Sequence, residues 1–239
     1  MHPERLSDLR KGLPDLKVGA LLSLLANVIL LVALLSSLSR LPMYPPTLGQ
    51  PELLFLAFMV ASASFMLLVV VAALVTSLVA LFKFLRAAGH LKRFDAPKLG
   101  VGRIGVLLEI VGVVMALLGL IASMSLSMTS APLTGSRYSS SSVGAVIGLV
   151  LALVVGAIGT VIGKILFSVM LMRLGEVEGL DSGFENSGIL YLADTLVAFI
   201  ALIASNLVSL LALILEIVAF ILIYRCSENS LRSLAGALM

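Results

Sequence analysis

Four ionisable residues, Glu109, Lys164, Asp194 and Glu216, fall inside the apolar runs of this chain. An ionised side chain at the centre of a bilayer costs roughly 2.5–3.5 kcal/mol on insertion scales, so such residues face a partner or a cavity. Three carboxyls and one ammonium suit two kinds of chemistry. They can form an ion pair that fixes helix register, or they can take up and release a proton or a small cation. The structural reading is preferred. Lys164 and Glu216 are its first pair, and Glu109 and Asp194 are left without a cation.

No catalytic constellation accompanies these charges. The apolar runs hold no Ser–His pair, no His-Glu-x-x-His and no paired aspartates, and both histidines, His2 and His90, lie outside them. That argues against His-ligated haem and against His-based copper or zinc chemistry within a bilayer. Cys226 is the sole cysteine, so no intrachain disulfide forms, and it reads as a small apolar residue rather than an acylation site. The stretch from Gly100 to Gly105 matches G-x-G-x-x-G, but a dinucleotide site needs a preceding strand and a βαβ unit. Here a basic segment precedes and an apolar run follows. The expectation is a non-enzymatic protein with no cofactor and no metal centre.

These residues must be positioned by membrane helices. The chain is 60% hydrophobic, with a mean hydropathy of +1.18, above the roughly 45–50% apolar content of a soluble domain. Apolar runs at about 18–38, 53–82, 104–128, 143–172 and 189–224 carry the transmembrane signature. The first is too long for a signal peptide and reads as an uncleaved anchor. The expected fold is all-α, a single integral membrane domain over 1–239, with a tail at 1–17, a bundle at 18–224 and a tail at 225–239. Within the first tail Leu6, Leu9, Leu13 and Leu16 recur at helical spacing, which suits a short interfacial helix, whereas Pro14 interrupts them and suits a tethered tail; both readings stand.

The last run decides the helix count. As one helix it would extend about 54 Å, well beyond a ~30 Å hydrocarbon core. Split near Ser205 and Asn206 it makes two short spans. A weak repeat favours the split: Ser77, Lys164 and Glu216 each precede an exit arginine (Arg86, Arg173, Arg225) by nine positions. Six helices in three hairpins are therefore expected, with five helices, the last very long, as the alternative.

Charge orients the bundle. Arg5, Arg10, Lys11 and Lys17 precede the first run, and Lys83, Arg86, Lys92, Arg93, Lys98 and Arg103 crowd the stretch after the second. The only cations in the stretches at 39–52 and 129–142 are Arg40 and Arg137. By the positive-inside rule the N-terminus is cytoplasmic, and an even number of crossings puts the C-terminus with it. The basic stretch 83–103 reads as a loop serving topology control rather than lipid recognition, and apart from Phe84 and Phe94 it lacks the stacking aromatics of a nucleic acid site. The acidic stretch 173–187 is a candidate to dock on it or on a partner.

Small residues share faces with the charges. Gly105, Glu109, Gly112, Ala116 and Gly119 follow a 4-3-4-3 spacing, and Ser187, Tyr191, Asp194, Ala198, Ala201 and Ser205 form a similar stripe. Glu216 shares a face with Ser209, Ala212 and Ala219. Gly144, Gly148, Ala152, Gly156 and Thr160 recur every four residues up to Lys164. Such rows let neighbouring helix backbones approach closely.

The stretch from Phe184 to Ala193, together with Ile214 to Ile223, resembles small archaeal multi-pass membrane proteins of unknown function. The segments around Arg86 to His90 and Gly102 to Glu109 look similar to a related archaeal group. The resemblance implies a plasma membrane protein without an assigned activity and carries over no catalytic residue. The function expected is a structural or accessory subunit of a membrane assembly. The alternative is a small proton- or cation-coupled transporter or channel. Its partners are the lipid bilayer and either further copies of itself or other membrane subunits, with no nucleic acid.

Overall fold

The computed structural model describes residues 3–39, 52–129, 140–201 and 206–236. They form α1 (Pro3–Ser39), α2 (Glu52–Phe94), α3 (Ala96–Thr129), α4 (Ser140–Gly175), α5 (Gly183–Ala201) and α6 (Asn206–Gly236). No strand occurs among the described residues, and each helix holds a stretch long and apolar enough to cross a membrane. The fold is an all-α polytopic bundle, as composition and run length require.

The helices close into a ring. Each packs on its neighbours in chain order, and α6 returns to α1. Polar contacts show how the ends are sorted. Lys17 at the start of α1 lies 3.7 Å from Glu228 near the end of α6. Lys83 near the end of α2 reaches Asp15 of α1 at 3.1 Å. The Arg173 guanidinium at the end of α4 donates to the Lys98 carbonyl at the start of α3, at 3.1 Å. Among the described residues the basic side chains other than Lys164 thus gather at one end of the ring, called here the basic end.

The long apolar run is two antiparallel helices. Asp194 and Glu216 both touch the same lysine nitrogen, whereas 22 residues of one continuous helix would hold them about 33 Å apart. The five-helix alternative is excluded. The expectations for the outer stretches at 40–51 and 130–139, and for Ser205 at the split, fall outside the described residues.

Three polar stretches depart from expectation because packing extends the helices beyond their apolar runs. Residues 3–17 are not a tail but the first turns of α1, with Pro14 inside the helix. Losing one intrahelical hydrogen bond at Pro14 is outweighed by burying Leu9, Leu13 and Leu16 completely, with Gly12 set against Ala87 and His90 of α2. The C-terminal stretch continues α6 to Gly236. The stretch 83–103 is not a loop either. α2 runs to Phe94, and α3 starts after Asp95, whose carboxylate caps it by accepting the Lys98 N–H at 3.3 Å.

The surface is inverted relative to a water-soluble protein. Leu68, Val75, Phe82, Ile104, Val111, Leu118, Val155 and Phe199 are exposed, while Glu109, Asp194, Ser168, Ser187, Thr195 and Ser227 are buried. The buried hydroxyls satisfy themselves on their own helices: Ser168, Thr195 and Ser227 each donate to the carbonyl four residues back, at 2.7–2.8 Å.

The junction 176–182 between α4 and α5 is tied to α6. Asp181 accepts the Asn229 amide at 2.8 Å and the Gly183 N–H at 2.8 Å, and its own N–H donates to Ser230 Oγ at 3.0 Å. The hydrogen bonds from Asn229, and then from the Gly183 backbone, hold the Asp181 carboxyl below its usual value of 3.8. A depressed folded value means that this contribution is complete above the unfolded value and disappears as pH falls through the folded one. Amide protection across 176–183, taken relative to the intrinsic exchange rate at each pH, should therefore be unchanged from neutral pH to about pH 4 and fall below it. Asp181→Asn should abolish that acid transition. A transition of the same position in the variant would refute the assignment.

Candidate functional site

The four charges expected from the sequence do meet, and they meet around one nitrogen. Lys164 on α4 places Nζ 2.7 Å from Glu216 Oε1 on α6. The same nitrogen lies 3.1 Å from Asp194 Oδ2 on α5. Asp194, expected to lack a cation, is therefore paired. An ammonium has three N–H donors, so one lysine serves both carboxylates.

Glu109 is held differently. Its carboxylate on α3 accepts the Tyr191 hydroxyl of α5 at 3.3 Å. The Lys164 ammonium stands over the Tyr191 ring, 5.1 Å from its centroid, within cation–π range. Tyr191 thus joins Glu109 to the lysine triad, and the cluster ties together α3, α4, α5 and α6. Tyr191 was visible in the sequence only as a member of the Asp194 stripe, three residues before it on the same face. Its role as a hydrogen-bond partner was missed.

Beside the charges the ring interior is filled by aromatic side chains. Phe84, Phe167, Tyr191 and Phe220 form a closed circuit with centroids 5.0, 5.8, 5.4 and 5.9 Å apart around it. These distances suit tilted and offset aromatic packing. Phe84 comes from α2, Phe167 from α4, Tyr191 from α5 and Phe220 from α6. α1 reaches the same plug through Gly19, where a Cβ would stand 2.7 Å from the Phe84 ring.

The glycine rows divide under structural scrutiny. A Cβ on Gly105 would sit 2.7 Å from the Gly163 carbonyl, and one on Gly163 would sit 2.6 Å from the Gly105 carbonyl. Gly112 packs on Thr160 and on the Gly156 carbonyl, and Gly119 is buried. These positions form the α3/α4 seam that presents Glu109 and Lys164. Gly148 is a correction: nothing lies within 4 Å of a Cβ there, because the four-residue row has turned to the exposed face. The packing of Gly144 falls outside what is described. The G-x-G-x-x-G stretch is also helix packing, with Gly102 against Met170.

Ala198 and Ala201 of α5 and Ser209 and Ala212 of α6 have a further consequence beside the charges. They line an open cavity of about 270 Å³ whose floor is Lys164, Asp194 and Glu216. Truncated side chains on both facing helices leave this space.

Formal charge sets what the cluster can do. Three carboxyls and one ammonium carry −2 if all are ionised, and a low-dielectric site favours neutrality. The arrangement can exchange protons or a small cation with the cavity. It has no nucleophile activated by a base. Among the described residues no set of three His, Cys, Asp or Glu side chains is placed to hold a metal ion. Cys226 is buried against Gly183.

Neither a curated protein nor a solved structure matches the chain. A family model described as a protein of unknown function, DUF973, matches residues 10–238, almost the whole ring with its basic end and its charge cluster. The chain belongs to that family, DUF973.

Proposed function

We propose that this chain is a non-enzymatic multi-pass membrane protein, a structural or accessory subunit of a membrane assembly, in which the Lys164 triad pins α4, α5 and α6. One observation carries this reading. A single ammonium is shared by carboxylates from two other helices, at 2.7 and 3.1 Å, beside a closed circuit of four aromatic rings. That is the construction of a fixed joint rather than of an open path. The positive-inside rule puts the basic end, and both chain ends, in the cytoplasm.

Native mass spectrometry of the gently solubilised complex tests the reading. Integer multiples of 25.1 kDa above one, or additional mass from a second polypeptide, are the expected results. A bare monomer under the same mild conditions overturns the subunit assignment.

A second reading is favoured by the cavity and by the excess negative charge of the cluster: a proton- or cation-coupled carrier working through Glu109 and Asp194. Purified protein in liposomes would then drive proton or cation flux, and Glu109→Gln and Asp194→Asn would abolish it with the fold retained. Flux unaffected by both variants, or absent from the unmodified protein, rejects this reading.

A further inference from the structure

At the basic end an open groove of about 390 Å³ runs between α2 and α3. That volume is within the roughly 300–1,000 Å³ typical of small-molecule sites. Its basic wall is Arg86, His90 and Arg93 on α2 and Arg103 on α3. Its apolar rim is Phe82 and Leu85, which precede the basic wall of α2 on the side of the membrane span. Exposed Phe82 on α2, and exposed Ile104 and Leu107 on α3, continue that apolar surface.

The cations of the groove are under-compensated. Between residues 83 and 103 the chain has six Lys and Arg and one acidic residue, Asp95. Asp95 is engaged as the cap of α3. Asp15 of α1 is held mainly by Lys83 at 3.1 Å, with Arg86 at 3.8 Å and largely exposed. Among the described residues Arg93 and Arg103 have no acidic partner within 4 Å. His90 stands 3.5 Å from Asp8 without a hydrogen bond at Nδ1. Gly89 lies between these residues, and nothing comes within 4 Å of a Cβ placed on it.

We propose that this groove binds the phosphate headgroup of an anionic phospholipid, with Arg93 and Arg103 on the phosphate and the acyl chains along Phe82 and Ile104. Guanidinium forks match phosphate oxygens geometrically. Basic pockets between helices at a membrane surface are where such headgroups bind. A free phosphate would use the arginines alone. The adjoining apolar rim is the feature that commits the site to a lipid. The proposal does not rest on the role of the charge cluster, which lies on other helices apart from Glu109.

Phosphatidylglycerol and phosphatidylcholine, titrated separately into the detergent-solubilised full-length protein, are compared by native mass spectrometry. Phosphatidylglycerol should be retained selectively. Arg93→Gln with Arg103→Gln should weaken retention about fivefold for each arginine. The charge-matched pair Lys11→Gln with Lys92→Gln, exposed and outside the groove, should leave it unchanged. Gly89→Leu should weaken retention without altering charge, and its thermal melt should match the unmodified protein. Equal losses in the two double variants would mean diffuse attraction and overturn the site. Full retention in Gly89→Leu would overturn it as well. Inorganic phosphate displacing the lipid at millimolar concentration would reassign the groove to a free anion.

Discussion

Lys164→Met should destabilise the bundle by about 3–5 kcal/mol, the usual cost of removing one partner from a buried ion pair. The variant leaves Asp194 and Glu216 facing each other, one of them 2% exposed, with Glu109 close behind Tyr191 and no cation among them. Most of the loss is thus the penalty of stranded carboxyls rather than the worth of the bridge. Removing the acids together with the base should undo it. Lys164→Met combined with Asp194→Leu and Glu216→Leu replaces three desolvated polar groups by apolar ones, a change that is commonly neutral or stabilising. Asp194→Asn or Glu216→Gln alone should cost less than Lys164→Met, because the ammonium keeps one carboxylate.

The protein supplies its own reporter for these measurements. Cys226 is the sole cysteine and is 4% exposed, so a thiol-reactive fluorogenic dye registers unfolding directly. Melts of the single and triple variants in detergent give the ordering. A Lys164→Met protein that melts with the unmodified one would show that the triad does not hold α4, α5 and α6. A stable triple variant also separates the two functional readings. It should assemble normally if the cluster is a joint, and it should lose flux with its fold intact if the cluster is a carrier site.

The meeting of Lys164 with Glu216 was legible from register. Both residues stand nine positions before an arginine at the same end of parallel helices, so equal spacing means equal depth. Asp194 was not legible in that way because α5 runs in the opposite direction and has no exit arginine to count from. Counted from the junction, Lys164 precedes Gly175 by eleven residues and Asp194 follows Gly183 by eleven. This places the two side by side about three turns in, deeper than the apolar runs alone suggested.

What hid the depth was the helical extension of polar stretches. Residues 6–17 and 83–94 are charged on one face and packed on the other. A composition-based boundary follows the charges, whereas the folded boundary follows Leu9, Leu13, Ala87 and Leu91. The groove at Arg93 and Arg103 was illegible for the same reason. Read as a loop, these residues are scattered cations, and only two packed helices bring them to a common wall.

Gly163→Ala should force the α3/α4 seam apart, and Gly148→Ala should be silent. The two residues are indistinguishable by type, and both belong to small-residue rows of α4. On Gly163 the added carbon would meet backbone: the Gly105 carbonyl at 2.6 Å and the Glu109 N–H nitrogen at 2.7 Å. No side chain can rotate away from that clash, so α3 and α4 must separate. Overpacking of this kind costs typically 1–3 kcal/mol. Here the shift also acts on the site, since Glu109 Cβ lies 2.9 Å from the same point. Separating the helices lengthens a Tyr191–Glu109 contact that is already 3.3 Å. Gly105→Ala drives the same seam apart from the other side and should behave alike. The double variant should cost less than the sum of the two singles, because the helices part only once. Gly148, with open space around it, should change stability by no more than about 0.5 kcal/mol. Thermal melts reported by Cys226 rank the four proteins. A Gly163→Ala protein as stable as Gly148→Ala would mean that α3 and α4 do not approach backbone to backbone, and the placement of Glu109 beside Tyr191 would fall with that seam.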